Sequence, residues 1–539
     1  MTTRLLMFSV LLFTARGTFA QDYSGDVFRF SNQPITGTAR FQGLGGNHAA
    51  LGGDASAVFG NPAGLGFYNR SELSISPGVS LLNVESQYID RTTTATKSSP
   101  AINHAALIFA GDPSKRGTRW KRTTFGVTYS QQANLLNEFT FTGLNAKSSL
   151  ADAFAQDLNR YNINSTDLNN AFDNASGNVT NLYPGSGREI SNTAYLSAAY
   201  QLYLVEPVGT TNGVYGRTDR FVGNSVRGAQ QTQSFSSRGR QTQWTFAYAG
   251  NLDDKLYLGA SVALTRSRYD FTNRYDEAFA NPDQLRGLSD QSELSVRGNG
   301  INLSFGAIYK ATPFLQLGAT VQSPTFSSMT ETYTRTLGVD IIGIRELDSQ
   351  GRPVRFVPDV QRYDLPPNDF EYTMTTPLRA SGGATFFAGK YGFVTATAEY
   401  VGYSGMRVGT SVYERAADNQ AFRNDNRGYV QSVYQNVVNL RAGAEIRAGM
   451  LRVRAGAAYL PSPYKSTFDA LAKNGDRNTV MFSGGLGLRS ERFFADVSGV
   501  VYGSKTAYVP YTVNNPQDYA GATLKSRVTN VTLSVGTFF

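Results

Sequence analysis

Residues 531–539 place Val531, Leu533, Val535, Thr537 and Phe539 on one side and Thr532, Ser534 and Gly536 on the other, and the chain stops there. Period-two alternation of this kind is a β-strand with one apolar face. The pattern recurs along the chain. Leu256, Leu258, Ala260, Val262 and Leu264 oppose Tyr257, Gly259, Ser261, Ala263 and Thr265, a run that matches the ~9–11 residues with which a tilted strand crosses a bilayer. Its link to the strand before is Gly250-Asn251-Leu252-Asp253-Asp254. A second hairpin aligns Ile301, Leu303, Phe305 and Ala307 with Leu315, Leu317, Ala319 and Val321 across the turn Ala311-Thr312-Pro313. Others follow around Ala388-Gly389-Lys390 and Ala448-Gly449.

Counting every such segment predicts about fourteen strands, near residues 70–84, 101–111, 122–142, 225–250, 255–272, 291–311, 314–337, 369–388, 391–410, 432–448, 450–460, 477–489, 491–508 and 523–539. Links after even-numbered strands are short. Those after odd-numbered strands are long and polar, among them 144–224, 273–290, 338–368 and 411–431. That asymmetry is the periplasmic and extracellular pattern of a closed barrel, and a soluble β-sandwich has no use for it. Past residue 20 no run approaches the ~18 apolar residues of a spanning helix. The expected fold is therefore all-β, a transmembrane antiparallel β-barrel over 70–539. With 54 Gly, 30 Tyr, 34 Phe and no Cys, the composition is not that of a disulfide-stapled secreted domain.

Residues 1–20 carry Arg4, an apolar run over 5–13 and a small-residue exit at Thr18 and Ala20, which reads as a secretory signal peptide. Gln21, not Cys, follows, which argues against a lipoprotein. A terminal strand closing on Phe539 resembles the assembly signal of bacterial outer-membrane barrels, so the expected location is the outer membrane and the expected partners include the barrel assembly machinery and lipopolysaccharide. The formal net charge of +9 fits an anionic lipid surface and paired lumen charges better than nucleic acid.

Residues 21–69 do not alternate and are rich in glycine. Gly37-Thr38-Ala39-Arg40, Gly43-Leu44-Gly45-Gly46, Ala50-Leu51-Gly52-Gly53-Asp54 and Asn61-Pro62-Ala63-Gly64 resemble the amino-terminal hatch of the FadL/TodX family of transporters for fatty acids and hydrocarbons. The resemblance continues through Ser323-Pro324-Thr325, Thr376-Pro377-Leu378-Arg379, Glu399-Tyr400 and Leu440-Arg441-Ala442-Gly443-Ala444-Glu445. It implies a monomeric barrel plugged by residues 21–69, with Arg40, Asn61, Pro62, Ala63 and Gly64 as hatch and gating residues. It also implies capture of an apolar solute at the outer loops, a pocket beside the hatch, and lateral release at a kinked strand without an energy source. The register break at Ala133-Asn134-Leu135-Leu136-Asn137 is a candidate for that kink, or a bulge near a loop.

Strand parity points Arg379, Glu399, Arg441, Glu445, Arg452, Arg454 and Asp496 inward while Leu440, Ala442, Val453, Val394 and Val497 face lipid, where charge would cost a few kcal/mol per residue at mid-membrane. These charges can hold the hatch, meet a substrate carboxylate, or pair among themselves. Arg40 is a candidate partner for Glu399 or Glu445. In the loop 144–224, Leu150, Phe154 and Leu158 make one helical stripe and Tyr195, Leu196, Ala199, Tyr200 and Tyr203 a second. They form either a ligand-capture surface or a cap packed on itself. His48 and His104 are the only histidines, and no supported nucleophile and base pair is visible, so neither an enzyme nor a metal or cofactor site is expected. The ligand class stays open between fatty acid and aromatic hydrocarbon. Alternatives to transport are a barrel that docks secreted proteins and a structural or adhesive barrel.

Overall fold

The computed structural model describes residues 23–539 apart from 33–34, 112–118, 162, 164, 174–177, 180–192, 208–214, 218–227, 281–284, 348, 359 and 469–476. The expected signal peptide lies outside the described residues. Fourteen antiparallel strands close a barrel. They are β1 (Glu72–Tyr88), β2 (Arg91–Ala110), β3 (Trp120–Asn134, continued by Asn137–Asn145), β4 (Ala229–Leu252), β5 (Leu256–Phe279), β6 (Leu285–Thr312) and β7 (Leu315–Gln322, continued by Phe326–Ile341). The circuit goes on through β8 (Arg362–Asp364, Asn368–Thr375 and Arg379–Phe387), β9 (Gly392–Val401, continued by Arg407–Gly409), β10 (Val437–Ala448), β11 (Leu451–Leu460), β12 (Thr479–Arg489), β13 (Phe493–Tyr508) and β14 (Ala522–Phe538). Closure joins β14 to β1 from Glu72↔Phe538 to Gln87↔Thr523. At one seam the ladder is short: β2 pairs with β3 only from His104↔Ser130 to Ala110↔Thr124, and Asn137–Asn145 pairs with β4 alone.

Alternation decides which face meets lipid. Leu258, Leu264, Leu303, Phe305, Leu317, Val321, Val394, Leu440, Val453, Phe482 and Val497 are exposed on the outer wall, while Ser261, Asn302, Ser304, Thr320, Thr395, Glu445 and Ser498 are buried inside. An apolar belt of this extent needs hydrocarbon around it. The fold is that of a membrane-spanning β-barrel.

Two expected links are corrected. β1 and β2 run on beyond the predicted bounds and meet at Tyr88↔Arg91, so the first outer link is the two-residue turn Ile89-Asp90, with Ile89 at φ 53°. Likewise most of 273–290 is strand, since β5 reaches Phe279 and β6 starts at Leu285. Above the apolar belt the outer face turns polar, as at Arg268, Asp270, Arg274 and Asp276 of β5, while inward Tyr269, Tyr275 and Phe279 stay buried, so the lipid-facing pattern ends although the backbone ladder continues.

The outer segments carry helices α3 (Leu150–Tyr161), α4 (Ser165–Asn170) and α5 (Thr193–Gln201) and, between β9 and β10, α6 (Ala416–Val433). Leu150, Phe154, Leu158 and Tyr195 are buried in one cluster with Tyr275, Leu288 and Leu337 of the wall, and Tyr200 packs against its edge. Both stripes therefore face each other and the barrel as a cap. Tyr203 lies past the end of α5 at φ 61°.

The chain terminus is tied into the ring. Phe539 N donates to Ser71 O and Ser71 N donates to Phe539 O, each at 3.0 Å, with the Phe539 ring on the outer surface. Deleting Phe539 removes both bonds, worth about 1 kcal/mol each, and the outward aromatic of the last strand. The expected result is slower assembly, seen as a several-fold loss of heat-modifiable barrel in outer-membrane fractions; a normal level would refute it.

Candidate lumen site

Inside the barrel, residues 35–68 fold as short turns against the wall. Thr38 caps α2 (Ala39–Gly43) by accepting from Phe41 N at 3.2 Å. Asp54 and Asn61 cap the short 3-10 helices Ala55–Val58 and Pro62–Phe67, accepting from Ser56 N (2.9 Å) and Ala63 N (3.1 Å). Pro62 occupies the first turn, where its missing N–H costs nothing. Asn61 Nδ2 donates to Ala49 O at 2.6 Å and reaches the wall carbonyls of Ala319 (3.3 Å) and Ala307 (3.5 Å).

The wall is shaped to let this backbone approach. A Cβ at Gly259 would run into the Pro62 backbone, at Gly306 into Asn61 Oδ1, at Gly318 into Ala49 O, and at Gly443 into Leu44 O. Glycine in a strand interior commonly marks such close backbone approach.

Two charge clusters fasten the segment. In the first, Arg454 Nε and Arg40 Nε donate to Glu445 Oε2 at 2.8 and 3.4 Å, Arg447 Nε donates to Glu445 Oε1 at 2.8 Å, and Arg454 Nη1 donates to Asp496 Oδ1 at 2.5 Å. Arg40 Nη1 also donates to Gly53 O at 2.9 Å. In the second, Glu399 accepts from Arg379 (3.1 Å), Arg441 (3.0 Å) and Asn439 (3.0 Å). Arg379 Nη2 also donates to Ser31 O at 2.6 Å, closing the last carbonyl of α1 (Tyr23–Ser31). Arg40 thus meets Glu445 and not Glu399. Arg452 joins neither cluster: its guanidinium folds back onto the carbonyls of Gly449 and Leu451 at its own turn.

His48 lies between the carbonyl of Gly46 (Nδ1, 3.1 Å) and Ser381 Oγ (Nε2, 3.2 Å), and burial pushes its pKa below the usual imidazole value. His104 stands inward on β2 beside the Phe59 ring, at 6.0 Å between centroids.

A cavity of about 70 Å³ beside this segment is lined by His48, Gln132, Gln322, Arg379, Glu399 and Arg441. A second, of about 100 Å³, borders Gln42, Asn103, Gln131 and Asn530. Both abut Ile35 and Thr36, and both mix polar with apolar walls, Phe41 and Phe59 in the first and Leu82, Leu136 and Val528 in the second. An aromatic and methionine-lined chamber lies elsewhere, and α1 fills it: Val27 and Phe30 are buried with Tyr269, Met329, Tyr372, Met374, Met406 and Tyr434. Sequence reasoning missed α1. Its only signal was Tyr23, Val27 and Phe30 at helical spacing. Leu135 and Leu136 interrupt β3, with a register shift between Gln131 and Ala133.

No protein-family model matches the sequence, and no curated protein matches it. Solved structures do match by shape. A Pseudomonas aeruginosa FadL homologue aligns over 94% of this chain and 99% of its own at 12% identity and a TM-score of 0.52. The P. putida toluene transporter TodX aligns over 94% and 99% at 13% identity and a TM-score of 0.50. The chain therefore has the closed fourteen-stranded barrel fold of the FadL and TodX transporters.

Proposed function

We propose that the protein is a passive channel for hydrophobic small molecules, with residues 21–69 as its hatch. The observation that carries this reading is the aromatic and methionine-lined chamber around α1 inside the barrel. A solute leaving water for such a chamber gains transfer free energy in proportion to the apolar area it buries. It passes the lipopolysaccharide layer without dissolving in it. The interruption of β3 at Leu135-Leu136, beside the cavity bordered by Gln131 and Leu136, is the exit we assign to lateral release. Toluene is the named substrate of the TodX relative, so an aromatic hydrocarbon and a long-chain fatty acid are the two probes to compare.

The test is uptake of labelled toluene and labelled oleate by a deletion strain, its parent, and a strain carrying Asn61→Ala. Asn61 bonds both the hatch and the wall, so its loss is expected to leave the barrel folded and lower uptake several-fold. A deletion strain that imports both probes as fast as its parent would end the transporter reading for these ligands. That result would favour a docking barrel for secreted proteins, a reading supported by the filled state of the apolar chamber.

A further inference from the structure

α1 is a nine-residue helix held in the chamber by more than apolar contact. Arg29 lies over the face of Tyr269, its Cζ 4.1 Å from the ring centroid, and pairs with Asp26 one turn earlier on the same helix. Asp26 Oδ2 accepts from the Tyr372 hydroxyl at 3.0 Å. Tyr23 packs edge-on to Tyr372, with centroids 5.2 Å apart. Beside this group stands Glu331 of β7, with Asp26 and Arg29 as its ionisable neighbours. It is fully buried, its carboxyl bonds that of Asp26, and among the described residues no N–H or hydroxyl donor reaches either of its oxygens.

A buried carboxyl group without a donor is costly, and natural cores rarely keep one without a reason. Here the imbalance has a simple origin. Arg29 brings its own counter-ion, Asp26, on the same helix, so α1 docks with its charge already paired and leaves the wall carboxyl only Asp26, another carboxyl, to bond, with one proton shared between them. An occupant carrying a cation and no counter-ion would pair with Glu331 while its charge also met the Tyr269 face, since aromatic faces attract cations most strongly where water is excluded. From the buried Glu331 and the aromatic seat now taken by Arg29, we infer that the chamber is a binding site for an amphiphilic organic cation: an ammonium or amidinium head on an apolar body. α1 holds the place of that ligand, and the ligand displaces it.

This inference adds an amphiphilic cation to the hydrophobic ligands of the proposed channel and rests on that reading, but its test does not pass through uptake. The chain has no cysteine, so a single introduced thiol reports on α1 alone. Val27, fully buried, is changed to Cys in the purified barrel in lipid nanodiscs, and maleimide labelling is timed with decyltrimethylammonium, decanoate or decanol below their micellar concentrations. The expected result is at least tenfold faster labelling with the quaternary ammonium, less than twofold with the anion or the alcohol, and loss of the ammonium response in the Glu331→Gln background. Ser24→Cys, at a second buried position of α1, replaces Val27→Cys if the latter disturbs docking. Equal acceleration by all three probes, no acceleration by any, an unchanged response in Glu331→Gln, or rapid labelling of both thiols without ligand would each overturn the proposal. Failure here with intact hydrocarbon uptake would leave the channel reading standing, and the reverse outcome would leave the cation site standing.

Discussion

Changing Glu445 to Ala is expected to release the amino-terminal segment from the barrel wall. Glu445 accepts from three arginines, Arg40, Arg447 and Arg454, and only Arg40 belongs to that segment. Its removal leaves the Arg454 guanidinium, 2% exposed, with Asp496 as its remaining ionic partner, and strips Arg40 of its hold on the wall. Removing one member of a buried ionic cluster costs about 3–5 kcal/mol, because the partner charge stays buried without compensation. A loss of about 3 kcal/mol in docking is roughly a hundredfold in the docked-to-undocked ratio. Trypsin cleavage after Arg40, which is buried in the intact protein, reports that ratio on the purified barrel. Cleavage should accelerate at least tenfold in Glu445→Ala and less in Glu445→Gln, which keeps an acceptor oxygen. If both variants resist trypsin like the parent, the cluster is not what fastens the segment.

The pairing of Arg40 also marks how far the sequence could be read. Strand number and the inward turn of Glu399, Arg441, Glu445 and Arg454 followed from alternation alone, because mid-membrane lipid admits no charge and parity leaves one other direction. The choice between Glu399 and Glu445 for Arg40 did not follow. It depends on how β9, β10 and β11 are staggered, a property of the closed ring rather than of any one strand. α1 was hidden for a related reason: a short helix has little stability of its own, and its burial is set by Tyr269, Tyr372 and Tyr434, which come from distant strands and from the end of α6. α6 itself was read as a polar link, since residues such as Arg423, Asn424 and Asp425 give no apolar stripe and only Asn419, Val430 and Val433 are buried. The stripes of α3 and α5 were legible as helices, but whether they faced solvent or each other was a tertiary question.

The glycines of the wall give the second large effect. Gly259 on β5 faces the Pro62 backbone so closely that no side chain fits, whereas a Cβ on Gly382 of β8 would find nothing nearer than the Gly318 carbonyl at 4.0 Å. Valine suits a strand, so each substitution leaves its own ladder able to form. Only Gly259→Val forces the Asn61-Pro62-Ala63 turn away from the wall, at an overpacking cost of about 1–3 kcal/mol. That cost shifts the turn toward an undocked state by roughly tenfold to a hundredfold. If the turn seals the lumen, cells carrying Gly259→Val should become several-fold more sensitive to vancomycin, which an intact outer membrane excludes, and the purified protein should show larger and more frequent single-channel openings. Gly382→Val should match the parent in both measurements, and both variants should keep heat-modifiable migration. A Gly259→Val barrel that folds and stays as tight as Gly382→Val would show that the turn can leave the wall without opening a path, and the seal would then have to be sought around α1 and its aromatic chamber.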